Sequence, residues 1–211
     1  MGRPSKGTLK PLLEEIPEAY YWMGFLLADG HFSEKRLAVC LAKHDEQHLI
    51  KLSQFLANPN GLFPVVNTYD NGTNSRLGVW DIDNMKLLKQ RWGIVNNKTI
   101  TPPDISWVSS DNLIYVLIGF IDGDGCIQKQ SKRTNSKISI KNHISWILFL
   151  QQLSDNIHQR LNVISPKAHI NKSGYVILNI CKYSIVKQLK LYSETLPVMS
   201  RKWDIIDEFI S

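Results

Sequence analysis

Apolar positions along this chain switch between a helical and a strand spacing, and the switches come in the same order twice. Residues 17–28 and 111–123 are apolar nearly all round, which predicts helices buried on every side. After the first stretch, Leu37, Val39 and Leu41 alternate within residues 36–43, the period of a half-buried strand. Leu49, Leu52, Phe55 and Leu56 then fall at helical spacing within residues 45–57. Residues 64–69 and 76–82 read as strands joined by Asp70-Asn71-Gly72-Thr73, a strong hairpin signal. A helix is predicted over 84–92. The second stretch is followed by a strand at 137–141, a helix at 144–157, a hairpin of 167–171 and 175–180 around Lys172-Ser173-Gly174, and a helix at 184–192. Each half therefore shows a helix, a strand segment, a helix, two strands and a helix, in the same order. Each ends near a lysine, in Asn97-Lys98-Thr99 and Arg201-Lys202-Trp203.

The two apolar stretches also repeat as residues. Tyr-Trp-Met-Gly-Phe-Leu-Leu-Ala-Asp-Gly at 21–30 matches Val-Leu-Ile-Gly-Phe-Ile-Asp-Gly-Asp-Gly at 116–125, with the final Asp-Gly pairs 95 positions apart. This divides the chain into an N-terminal extension (1–16), a first unit (17–102), a linker (103–110) and a second unit (111–211). Thr101-Pro102-Pro103-Asp104 breaks the helical pattern at the boundary. The extension shows no clear element and is expected to be partly ordered at best. Small residues recur four apart in both stretches, Gly24 and Ala28 in one, Gly119 and Gly123 in the other. Glycine weakens an isolated helix by about 1 kcal/mol. The same penalty at matching places predicts two helices packed backbone to backbone.

Asp29 and Asp124 then stand at the C-terminal ends of two adjacent buried helices. A carboxylate there meets the negative end of the helix dipole, an unfavourable placement that a divalent cation would offset. A lone Asp-Gly can be an ordinary turn whose carboxylate caps local amides. Two at matched positions point instead to a shared metal-binding centre.

Charge and cysteine content narrow the class. Lys and Arg number 25 against 19 Asp and Glu, a formal net charge of +6, compatible with a polyanionic partner. The excess is concentrated, with +1 over residues 1–106 and +5 over 107–211. Three cysteines without a CxxC spacing form neither a disulfide framework nor a zinc site, and predict reduced thiols in an intracellular, reducing compartment, cytoplasmic or organellar. No apolar run approaches the ~20 residues of a membrane span, so no membrane association is expected.

These residues resemble the LAGLIDADG homing endonucleases, in the single-chain form with two motifs. Residues 117–125 match the nine-residue motif closely. Residues 22–30 depart from it, with Trp22 at position one and Leu27 where the family has its first Asp. The eighth, catalytic position is Asp29 in one motif and Asp124 in the other. The resemblance covers about residues 17–205. It implies an α+β fold, a pseudo-symmetric pair of αββαββα units. Their two antiparallel four-stranded sheets would form a DNA-binding saddle, with the motif helices at the interface.

The resemblance further implies a monomeric, site-specific endonuclease encoded in an intron or a free-standing mobile gene. It would make a double-strand break in a long DNA target across the minor groove and leave short 3′ overhangs. No obligate protein partner is implied. Mg²⁺ would be held by Asp29 and Asp124, with the carbonyls of Ala28 and Gly123 close by. Mn²⁺ would substitute, and Ca²⁺ would bind without cleavage. Lys98 and Lys202 map onto the basic residue that the family often carries near each active site. Such an arrangement suits phosphodiester hydrolysis, which needs an activated water and stabilisation of a highly charged transition state. A maturase-like or regulatory protein on the same fold, binding without cleaving, is the alternative; relatives that only bind tend to lose one or both carboxylates, and both are kept here. A plain basic globular protein with a duplicated fold would not explain the matched Asp-Gly ends.

β-ribbons present alternate side chains to a groove. With Ile138 and Ile140 inward, Lys137, Ser139 and Lys141 face outward; Lys167, His169 and Asn171 are expected to do likewise, opposite Ala168 and Ile170. Gln128, Gln130, Lys132 and Arg133 add a polar, basic stretch. In the first half the DNA-facing candidates are Ser33, Lys35, Asn67, Tyr69, Arg76 and Trp80. His44 and His48 are four apart, but Asp45 follows the first where a zinc-protease helix needs Glu, so they read as a solvated helix start.

Overall fold

The computed structural model of the chain describes residues 7–95, 97–129 and 137–210. Pro17 opens helix α1 (Pro17–Asp29), where its missing N–H leaves no bond unmade, and every residue from Ala19 to Leu27 is buried. Strands β1 (His31–Phe32) and β2 (Arg36–Ala42) follow, then α2 (Glu46–Phe55), β3 (Asn67–Tyr69), β4 (Asn74–Trp80) and α3 (Ile82–Trp92). The second half repeats the order with α4 (Ser110–Asp124), β5 (Gly125–Gln128), β6 (Lys137–His143), α5 (Ile147–Leu161), β7 (His169–Ile170), β8 (Tyr175–Ile180) and α6 (Tyr183–Ser193). A last helix, α7 (Ser200–Ile210), carries Lys202.

The strands form two antiparallel four-stranded sheets, ordered β1-β2-β4-β3 and β5-β6-β8-β7. Their registers are equivalent. His31, two residues after Asp29, pairs with Ala38, the third residue of β2; Cys126, two after Asp124, pairs with Ser139, the third of β6. One core runs through both halves, with the motif helices at its centre.

Those helices touch backbone to backbone. A Cβ added to Gly24 would lie 2.1 Å from the Val116 carbonyl oxygen, and one on Gly119 would lie 1.9 Å from that of Tyr21. One on Gly123 would lie 2.2 Å from the Ala28 Cβ. Only glycine fits at these positions with the helices this close.

Several elements differ from the pattern. Both motif helices extend through their aspartates, one residue beyond the predicted ends. β1 and β5 are too short to generate a period, and α7 follows a segment read only for its lysine. The extension is not loose over its described part: residues 10–13 form a 3-10 turn, with Leu9 and Leu12 buried in the core. Asp81 anchors it, accepting from Thr8 Oγ1 at 2.9 Å and Leu9 N at 2.8 Å. Two leucines three apart are too few to register as a helical pattern. The linker is pinned as well, with Ile105 and Val108 buried and Trp107 packed on Trp92.

Candidate catalytic centre and nucleic-acid interface

Because α1 and α4 cross at their glycines and run side by side, their C-terminal ends emerge together, each with its aspartate last. Asp29 is exposed, while Asp124 is partly covered. Loss of surrounding water nevertheless pushes the Asp29 carboxyl above the usual range, against the pull of Lys202 and Lys98. Burial, with the charge of Asp29 added, pushes Asp124 up to about 6. Two carboxylates that resist ionisation beside one another are suited to a cation.

The lysines sit against the same helix ends. Lys98 Nζ donates to the carbonyls of Leu27 (2.7 Å) and Ala28 (2.8 Å). Lys202 Nζ lies within 3.1 Å of four carbonyl oxygens, those of Ile121, Asp122, Gly123 and Gly125. Lys98 thus satisfies the Leu27 and Ala28 carbonyls, and Lys202 those of Asp122 and Gly123, which the helix ends leave without partners, and both place positive charge at the negative pole of the dipole. Burial pulls both lysines below their usual range, and the carboxylates nearby oppose this.

Opposite halves hold the two lysine segments. The 3-10 turn after β2 supplies Asp45, which takes Arg201 Nε at 2.6 Å and Nη2 at 2.7 Å, beside Lys202. The equivalent turn after β6 supplies Trp146, whose Nε1 donates to the Thr99 carbonyl at 2.9 Å, beside Lys98.

The site's polar anchors were partly invisible in the sequence. Asp122, at motif position six, is buried and accepts from Tyr21 Oη (2.7 Å), Met199 N (2.9 Å) and Trp203 Nε1 (2.7 Å). His48 is not solvated: it is buried against Trp22 and Phe25, with Nε2 3.2 Å from Tyr21 Oη, and burial drives its pKa down to about 3. His44 stays exposed and makes no pair with it.

Comparison with known proteins agrees with this architecture. Residues 117–210 match the family model described as LAGLIDADG endonuclease. That match lies in the second half of the chain, over the motif that ends in Asp124. Over both halves, the chain has the fold of solved LAGLIDADG meganucleases. The meganuclease I-SmaMI, solved bound to uncleaveable DNA, aligns with a TM-score of 0.59 at 12% identity over 92% of this chain and 88% of its own. I-GzeII, a LAGLIDADG homing endonuclease in complex with its DNA target, gives 0.58 at 12% identity over 93% and 89%. I-AabMI, bound to uncleaved DNA, gives 0.55 at 13% over 92% and 88%. No curated protein sequence matches the chain.

In this LAGLIDADG fold the two sheets turn alternate residues outward. The first presents His31, Arg36, Cys40, Arg76 and Trp80, with Asn67 and Tyr69 on the edge strand. Arg36 lies over the Trp80 ring (4.9 Å) and Arg76 over Tyr69 (5.4 Å). A recess of about 300 Å³ joins Asp29 to this face, lined also by His31, Cys40, Tyr69 and Arg76. The second sheet presents Cys126, Gln128, Lys137, Ser139, Lys141, Tyr175 and Asn179, with Lys141 Nζ 4.0 Å from the Tyr175 ring centre. His31, Arg36, Tyr175 and Asn179, which are not among the sequence-derived candidates, reach these faces through a short strand and through cross-strand register.

Other candidates are placed differently. Ser33 Oγ closes the β1–β2 turn, bonding Arg36 N and O at 3.0 Å, with Lys35 exposed in that turn. Asn171 Oδ1 closes the β7–β8 turn by accepting from Ser173 N and Tyr175 N. Ile170 is 48% exposed, so the expected inward partner of His169 faces solvent at a sheet edge. Lys167 is exposed ahead of β7, and His169 is exposed on it. Gln130, Lys132 and Arg133 lie outside the described residues.

Among the described residues no three His, Cys, Asp or Glu side chains converge on one point. The oxygen atoms at the helix ends that could hold a cation are the carboxylates of Asp29 and Asp124 and the carbonyls of Ala28 and Gly123. These are hard oxygen ligands suited to Mg²⁺ or Ca²⁺ rather than zinc. No described helix is long and apolar enough to cross a membrane.

Proposed function

We propose that this chain is a monomeric, site-specific homing endonuclease that makes a double-strand break by divalent-metal-dependent phosphodiester hydrolysis. The observation that carries this reading is the convergence of Asp29 and Asp124 at the ends of two touching helices, with Lys98 and Lys202 held against the same ends. The DNA-bound relatives on this fold, one solved with calcium ions, support it.

Bound Mg²⁺ would supply water activation and neutralisation of charge at the scissile phosphate. Asp29 and Asp124 would hold it, with Ala28 and Gly123 offering carbonyl oxygens that the lysines also touch. Lys98 and Lys202 would supply fixed positive charge near the reacting phosphates; their ammonium groups are tethered by carbonyls, so little reorganisation would accompany the reaction. Arg36, Arg76, Lys137 and Lys141 on the outward sheet faces would bind the DNA. The helix interface is satisfied within one chain, so no second copy is needed. Exposed thiols at Cys40, Cys126 and Cys181 suit a reducing compartment.

Incubating the chain with a plasmid library of randomised sites in Mg²⁺, then sequencing the cut ends, tests the reading. One consensus site, cut on both strands, is expected. Asp29→Asn and Asp124→Asn should each slow cleavage by roughly 10²-fold or more, with DNA binding in Ca²⁺ retained. An uncut library, or full cleavage by the double variant, would overturn it.

A further inference from the structure

We infer that the two catalytic centres are unequal and that Asn142 is the positioning residue that makes them so. This rests on the endonuclease reading above. Asn142 Nδ2 donates to Asp124 Oδ2 at 2.8 Å. The orientation of its amide is set independently, because Asn142 Oδ1 accepts from the His143 backbone N–H at 2.8 Å. The nitrogen must then face the carboxylate.

Among the described residues the first centre has no such donor. β2 and β6 each have seven residues in matching register, so the sixth residue of one corresponds to the sixth of the other. That residue is Leu41 in the first half, and Leu41 cannot donate. Among the described residues none donates a hydrogen bond to Asp29. The polar side chain of the pair has changed strands: Asn142 faces Val176, whereas Leu41 faces Ser75. Ser75 is buried and spends its hydroxyl on Glu46 of α2.

A hydrogen bond to a ligating carboxylate fixes its orientation and raises its effectiveness as a ligand; losing such a bond typically costs roughly 10–100-fold in metal affinity or activity. Asp124 is held ready with one oxygen left for an ion, while Asp29 must be ordered when the ion arrives. The strand served by Asp124 is therefore cut first, and the first product is a nick.

Two measurements test this. Terbium(III) titration of the free protein, read by tryptophan-sensitised luminescence, needs no DNA target. Asn142→Leu, which copies the first half and should fold, is expected to weaken terbium binding by roughly 10–100-fold, with Asn142→Gln restoring most of the loss. Unchanged binding in Asn142→Leu would overturn the inference. The second measurement follows the two DNA strands with separate end labels. The wild type should accumulate a nick in the strand more impaired by Asp124→Asn, and Asn142→Leu should slow that strand alone. Equal slowing of both strands would also overturn it. Failure of the wild type to cut any DNA would count against the endonuclease reading, and the terbium result would still decide the role of Asn142.

Discussion

Tyr21 Oη donates to Asp122 Oδ2 at 2.7 Å across the interface between the motif helices. The carboxylate has no counterpart in the first half, where Leu27 occupies its motif position. Asp122 also takes the backbone N–H of Met199 and the indole N–H of Trp203, the residues that flank Lys202 in space and sequence. Burial pushes its carboxyl up, and the three donors oppose that rise. Asp122→Ala strands the buried Met199 and Trp203 donors and should destabilise the protein by about 2 kcal/mol or more in urea unfolding, since each unsatisfied buried donor costs about 1–3 kcal/mol. A loss below 1 kcal/mol would show that the network contributes little.

The two lysines should differ in stability cost. Lys202 is buried and serves four carbonyls, whereas Lys98 serves two. Lys202→Met should cost at least about 2 kcal/mol and Lys98→Met about 1, since an unsatisfied buried carbonyl costs about 1–3 kcal/mol. Thermal unfolding in metal-free buffer measures both, and the reverse order would contradict the geometry.

Gly119 and Gly123 meet different obstacles. A Cβ at Gly119 collides with backbone, the Tyr21 carbonyl, and nothing can yield without parting the helices. Gly119→Ala should therefore cost about 3 kcal/mol or more. A Cβ at Gly123 collides with the Ala28 Cβ. Ala28→Gly should rescue Gly123→Ala and should not rescue Gly119→Ala, which a double-mutant cycle would read directly.

The Asp124 carboxyl, held at about 6 in the fold against 3.8 for a free side chain, is disfavoured as an anion. Its stabilising contribution is full below about pH 4 and is lost as pH rises through about 6. Asp124→Asn should accordingly stabilise the metal-free protein by roughly 1–3 kcal/mol at pH 8, with the gain vanishing near pH 4. A pH-independent difference in melting temperature would refute the assignment of the shift to this group.

DNA binding should weaken steeply with salt. Several phosphate contacts from the outward Lys and Arg side chains imply a loss of roughly 10³-fold in affinity between 50 and 200 mM salt. Fluorescence anisotropy on the selected target checks this, and a flat response would remove the saddle as the binding surface.

What the sequence determined by itself was local or repeated. All-round apolarity is a property of one helix, and glycines four apart with an Asp-Gly end, seen twice, announce both the interface and the juxtaposed carboxylates. Asp29 and Asp124 were legible for that reason, whereas Lys98 and Lys202 were expected only from the family resemblance. Turn chemistry is local as well: Ser33 and Asn171 carry side chains that commonly close turns on their own backbone. The tertiary structure alone decided the rest. That Asn142 meets Asp124 while Leu41 replaces it on the other side depends on strand register, and that His48 is buried depends on how α2 lies on α1. The same holds for Asp45 on Arg201 and Trp146 on Thr99, partners 156 and 47 positions apart. A hydrogen bond across such a distance leaves no periodic trace in a sequence, because it forms only after the chain has folded its two halves against each other.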